Sequence, residues 1–179
     1  SGQGHLVVGI ARHVDAGFPG VLYTADLSSA DETRVVLLKI TENHEIHGIV
    51  NNVGVALPQQ LGNIDIQTFL NVMDINVRVA VQITQALVSN MKSRGWGRIV
   101  NVCSRAIFGA TDRTAYAAAK SALVGCTRTW ALELAQFGIS LLMVEEAREN
   151  VRNVQKLCGN RQTPIQGCNL ILSLLVRYF

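Results

Sequence analysis

From Leu6 to about Val144, short apolar runs alternate with longer stretches in which apolar residues recur every three or four positions. Continuous runs suit strands buried on both faces, and the 3.6-residue recurrence suits helices laid against them. Leu6 to Ala11 is the first run, closed by Arg12-His13, and Gly20 to Ala25 the second, closed by Asp26-Leu27. Ser29-Ala-Asp-Glu32 has capping-box spacing, and Val35, Val36, Leu38 and Ile40 make the segment after it a helix. Gly48 to Asn51 reads as a third strand. After a proline-containing loop, Val72, Ile75, Val79, Ile83 and Ala86 mark a long helix to about Met91, broken by Gly95-Trp-Gly97. Ile99 to Val102 reads as a fourth strand, Thr114 to Ala135 as a helix ended by Gly138, and Ile139 to Val144 as a fifth strand.

Strands alternating with helices predict an α/β fold built on a parallel sheet. Ligands of such sheets sit beyond the carboxyl ends of the strands, and Arg12, Asp26, Asn52 to Gly54 and Ser104 each directly follow a strand. With 179 residues, 49% hydrophobic and 16% charged, the chain suits one domain with a buried sheet and excludes a disordered polymer. The net charge of +3 comes from scattered residues, so no nucleic-acid partner is expected. Cys103, Cys126, Cys158 and Cys168 contain no C-x-x-C and read as reduced thiols. No signal-peptide pattern opens the chain and no apolar run is long enough to cross a bilayer, so the expected location is cytoplasmic, with no membrane partner.

Chemistry concentrates in Arg113-Thr-Ala-Tyr-Ala-Ala-Ala-Lys120, where Tyr116 and Lys120 stand four residues apart on one helical face. An ammonium one turn from a phenol favours phenolate, which lets the tyrosine exchange a proton near neutral pH. Taken alone, Tyr-x-x-x-Lys also describes a surface tyrosine beside a solvated lysine. Two strand-to-loop segments accompany it: Gly97-Arg-Ile-Val-Asn-Val-Cys-Ser104, and Gly48-Ile-Val-Asn-Asn-Val-Gly54. Between them the long helix carries Asp74-Ile-Asn-Val77, and Asn76, polar amid apolar positions, needs a hydrogen-bond partner if it is buried. His44-Glu45-Ile46-His47 lacks H-E-x-x-H spacing and reads as a surface histidine pair, so no metal site is expected. Glu145, Glu146 and Glu149 read as the wet side of a helix whose other face holds Val144, Ala147, Val151 and Val154.

These pieces, in this order and at these separations, resemble the short-chain dehydrogenase/reductase family over roughly Leu6 to Ile139, and most of all its NADPH-dependent 3-oxoacyl-reductase type. The resemblance implies a Rossmann-like doubly wound parallel sheet and an oxidoreductase that moves hydride between a nicotinamide cofactor and a small carbonyl or alcohol. Tyr116 would be the general acid-base and Ser104 would stabilise charge on the substrate oxygen. Lys120 would bond the cofactor ribose, and Asn76 would support a water in a proton relay with the lysine. Asn52, Val53 and Gly54 would approach the adenosine side, with Asp26 and Leu27 beside the adenine ring. Arg12, standing where NAD enzymes tend to carry a carboxylate, suits a 2′-phosphate, so the cofactor expected is NADP(H) ahead of NAD(H). The helices over 72–91 and 114–135 match those that pair in family dimers, which implies a homodimer or homotetramer.

The pattern departs at both ends. Family members open with a strand and a glycine-rich turn that receives the pyrophosphate, and Ser1-Gly-Gln-Gly4 is not that motif. The sheet is thus expected to be incomplete at its N-terminal side and divergent at its C-terminal side, with a truncated core over 1–144 and an extension over 145–179 formed of a helix and an apolar tail. A missing central strand would leave neighbouring edges bare, and the tail from Cys168 to Phe179 is the segment available to cover them. A second reading follows from the same departures: a catalytically silent homologue that acts through binding or self-association.

Overall fold

In the computed structural model, residues 6–145 and 169–173 are described. The strands are β1 (Leu6–Ala11), β2 (Val21–Thr24), β3 (Gly48–Asn51), β4 (Gly97–Cys103), β5 (Ile139–Glu145) and β6 (Asn169–Ser173). They form one parallel sheet in the order β2-β1-β6-β3-β4-β5. The helices are α1 (Ala30–Asn43), α2 (Ile66–Met73), α3 (Val79–Arg94) and α4 (Thr114–Leu134).

The five expected strands are present with shifts of one or two residues at their ends. Half of the capping box forms: Ser29 Oγ accepts from the Glu32 amide at 3.2 Å, whereas the Glu32 carboxylate accepts from the Asp26 amide at 3.0 Å rather than from that of Ser29. The long helix begins earlier than its apolar spacing suggests. Asp65 caps it by accepting from the Thr68 amide at 2.7 Å, and α2 runs into α3 through a π-helical turn over Asp74–Arg78. Gly95, at φ 66°, ends it in the left-handed region. One expectation fails: Val144 and Glu145 lie on β5, not on a helix. Their pairing with Val102 and Cys103 carries the ladder one residue past the apolar run, because β4 itself continues that far. Glu146, Glu149, Cys158 and Cys168 fall outside the described residues.

The main core lies on one side of the sheet, where Val8, Ile10, Ile49 and Ile99 meet Val36, Leu37 and Ile40 of α1 and Val79, Ile83 and Leu87 of α3. Burying apolar area of this kind is the main favourable term of the fold. On the same side α4 contacts β4 and β5, packs Leu123 with Ala80 of α3, and buries Ala115 and Ala119, whose small size lets the helix approach closely.

The centre of the sheet is closed from the far end of the chain. β6 pairs with β1 on one side, Val7 opposite Leu170, and with β3 on the other, Gly48 opposite Leu170. Among the described residues β1 and β3 do not pair with each other, so β6 joins the two halves of the sheet. The tail thus covers the bare edges, as its position in the sequence suggested. A proline in such a central strand removes an amide from the ladder. Ile171→Pro is expected to lower the melting temperature by on the order of 10 °C or to abolish the cooperative transition. Circular dichroism melting checks this, and an unchanged melt would mean that β6 does not carry the sheet.

Candidate active site

The carboxyl ends of β1, β3 and β4 deliver three polar segments to one edge: Arg12, Asn52 to Gly54, and Ser104. The helices bring the rest. Lys120 is 2% exposed on α4, and its Nζ donates to the Val102 carbonyl at 2.8 Å, two residues before Ser104. The same ammonium lies 5.6 Å from the centre of the Tyr116 ring, so the two residues share a face as the spacing predicted. Tyr116 itself is half-buried, its ring packed with Val55, Val72 and Ala115.

Asn76 is buried at 1% exposure, so the expected need for hydrogen-bond partners applies to it. It sits in the π-helical turn, a local widening that recurs at functional sites. Its Nδ2 donates to the Val72 and Val55 carbonyls, both at 2.8 Å, while Oδ1 accepts no hydrogen bond among the described residues. Gly54 is what leaves room beside that oxygen. A Cβ built there would stand 2.6 Å from Asn76 Oδ1 and 3.2 Å from Lys120 Nζ. Gly54, Asn76, Lys120 and Tyr116 therefore form one cluster, although they come from three separate parts of the sequence.

Ser104 terminates β4 and caps a 3-10 turn over Arg105–Phe108, its Oγ accepting from the Ala106 amide at 3.3 Å. That contact fixes the chain direction and leaves the hydroxyl hydrogen available to another acceptor. The adjacent Cys103 thiol is pushed up in pKa by burial, opposed by the Lys120 charge, so it is a poor nucleophile.

Arg12 and Asp26 meet at the other end of the edge. The Asp26 carboxylate accepts from the Ser28 amide at 2.9 Å and the Ser28 hydroxyl at 2.8 Å. Those bonds hold its pKa below the usual value, with a smaller downward pull from the Arg12 charge. Leu27 follows, 7% exposed. The histidine pair has other work: His44 Nε2 is 2.9 Å from the Tyr23 hydroxyl, and His47 packs against Trp96 beside Glu45.

Sequence reasoning missed two features. A buried polar chain runs from Asn51 Nδ2 to Asn101 Oδ1 at 2.8 Å and from Asn101 Nδ2 to Thr127 Oγ1 at 2.8 Å, stitching β3 and β4 to α4. Asparagines inside two otherwise apolar strands were the visible signal for it. The second feature is Arg78, whose partners outside its own helix, the Leu27 and Ser28 carbonyls, lie about fifty residues away and leave no local trace.

The expected nicotinamide dinucleotide can be set against these residues. The unsatisfied Asn76 oxygen, the buried ammonium and the close backbone approach that Gly54 allows suit its nicotinamide and ribose end, and Arg12 with the Asp26 turn suits the adenosine end. The strand at the centre, β6, is followed in sequence by Leu174-Leu-Val-Arg-Tyr-Phe179, which has no glycine to bring backbone against a pyrophosphate.

A parallel sheet with polar side chains gathered at its carboxyl edge defines the class as a Rossmann-like α/β protein. The family model described as short chain dehydrogenase matches residues 7–156, and the chain belongs to that family. It is 32% identical over 123 residues to the 3-oxoacyl-[acyl-carrier-protein] reductase FabG of Thermotoga maritima, covering 66% of this chain and 50% of that protein. It is 30% identical over 94 residues to the D-beta-hydroxybutyrate dehydrogenase of Rhizobium meliloti, covering 52% and 36%. The chain thus spans half or less of the length of these two relatives. Among solved structures, a metagenomic short-chain oxidoreductase in complex with NADP superposes with a TM-score of 0.78 at 22% identity, covering 94% of this chain and 86% of that one. A 4-hydroxyisoleucine dehydrogenase complexed with NADH and succinate gives 0.77 at 18% identity, covering 93% and 85%. These two likenesses establish the fold.

Because the space at Gly54 is bounded by polar atoms of a packed cluster, Gly54→Ala is expected to cost about 1–3 kcal/mol by forcing Asn76 and Lys120 apart. Urea unfolding checks this. A cost near zero would mean that the cluster yields freely.

Proposed function

We propose that this protein is an NADP(H)-dependent carbonyl reductase or alcohol dehydrogenase of the short-chain type, acting on a small-molecule carbonyl or alcohol. The observation that carries the reading is the buried cluster of Lys120, Tyr116 and Asn76 at the carboxyl edge of the sheet. The cofactor, when bound, supplies or accepts the hydride. Tyr116 gives its phenolic proton to the carbonyl oxygen in reduction and takes it back in oxidation. Lys120 stabilises the phenolate left behind and would also bond a ribose hydroxyl. Ser104 donates its hydroxyl hydrogen to the same substrate oxygen, holding charge as it develops. Asn76 offers its free Oδ1 to a water that can resupply the proton through Lys120. Asn52, Val53 and Gly54 would line the adenosine side, with Asp26 and Leu27 at the adenine ring. Arg12 would pair with a 2′-phosphate, which is why NADP(H) is preferred here to NAD(H).

The free thiols of Cys103 and Cys126 suit a reducing, cytoplasmic setting. Among the described residues no helix is long and apolar enough to cross a membrane. Self-association as a homodimer or homotetramer would use the helices over 72–91 and 114–135, and Leu132, 83% exposed on α4, would be covered in it.

A second reading has its own support. The sequence after β6 offers no phosphate-binding turn, which favours a catalytically silent homologue acting through binding. Titration with NADPH, followed by the fluorescence of Trp96 and Trp130, separates the two: saturable binding supports the reductase, and its absence supports the silent homologue. For a protein that does bind, Tyr116→Phe is expected to lower reductase activity by at least about 10²-fold with the melting temperature kept. Turnover at the parent rate would remove Tyr116 from the acid's role.

A further inference from the structure

Arg78 ends the π-helical turn that carries Asn76, and it makes an unusual number of directed contacts for a side chain still 22% exposed. Its Nε and Nη2 grip the two Asp74 oxygens, both at 2.6 Å, one helical turn back. Nη1 donates to Gln82 Oε1 at 2.5 Å, one turn forward. Nη2 then reaches across to the loop after β2, donating to the Leu27 carbonyl at 2.7 Å and the Ser28 carbonyl at 3.3 Å. Gln82 Nε2 extends the same contact to the Ala30 carbonyl at 3.0 Å. The loop so held contains Asp26, whose carboxylate is itself tied to Ser28.

We infer that Arg78 is a positioning residue that holds the Asp26–Ser28 loop for the adenine end of the cofactor. Asp74 orients the planar fork, and the fork fixes two carbonyls that lie about fifty residues away in sequence. A guanidinium can do this because it offers five donors in one plane, whereas a lysine offers one point charge. The Leu27 and Ser28 carbonyls are held by the arginine at the start of α3, and the Asp26 carboxylate, tied to Ser28, is held with them. The inference rests on the proposed dinucleotide reading in one respect only, the identity of the ligand at that loop.

The test uses the full chain with Arg78→Lys, and Asp74→Asn as a second variant that leaves the arginine but releases its fork. The adenine half is probed with adenosine 2′,5′-bisphosphate and the nicotinamide half with reduced nicotinamide mononucleotide, each by calorimetry. Arg78→Lys is expected to bind the bisphosphate about tenfold more weakly and the mononucleotide within about twofold of the parent, with Asp74→Asn showing the same pattern to a smaller degree. Unchanged bisphosphate affinity, or equal losses for the two halves, would overturn the inference, since equal losses mean general loosening. If the parent binds neither half, the reductase reading falls and amide hydrogen exchange decides about Arg78. Exchange at Ser28 and Ser29 at least about tenfold faster in the variants supports the clamp, and parent rates overturn it.

Discussion

A lysine ammonium 2% exposed is the constraint on which the rest of this structure depends. Removing such a charge from water carries a penalty of roughly several kcal/mol, which the protein must offset by fixed polar contacts. The Val102 carbonyl supplies one at 2.8 Å, and the face of the Tyr116 ring lies 5.6 Å away. Neither contact is possible unless α4 sits close against β4, which its buried Ala115 and Ala119 permit. Lys120 therefore links three levels at once: helix composition sets the approach, the approach sets the burial, and the burial gives the charge its leverage on a neighbouring phenol.

The same edge is organised by α3 as well, which packs beside α4. Its π-helical turn places Asn76 beneath Gly54, and the residue that closes the turn, Arg78, reaches the loop after β2. The Asn76 cluster and the loop after β2 are thereby referred to a single helical segment. Displacement of that segment would move both together, which is a physical reason for the widened turn to be stabilised by a forked ion pair rather than by apolar packing alone.

At the sheet's centre, β6 resolves one problem and creates another. Its pairing with β1 and β3 satisfies backbone groups that would otherwise be bare in the middle of a buried sheet. Yet residues 174–179, which follow it in sequence, are mostly apolar and contain no glycine.

Local sequence determined the strands Leu6–Ala11 and Gly48–Asn51, because uninterrupted apolar runs ended by polar residues have few other uses in a protein of this size. It determined the Ser29 cap, and it determined that Tyr116 and Lys120 share a face, since both depend on contacts within one or two turns. Tertiary structure alone decided that Asn76 is buried beside Gly54, that Arg78 holds Leu27 and Ser28, and that Asn51 meets Asn101. It alone gave β6 its register between β1 and β3 and kept Glu145 on a strand. The division has one physical cause: helix and strand periodicity is written in neighbours along the chain, whereas these pairings join segments tens of residues apart and are fixed only when the sheet brings them together.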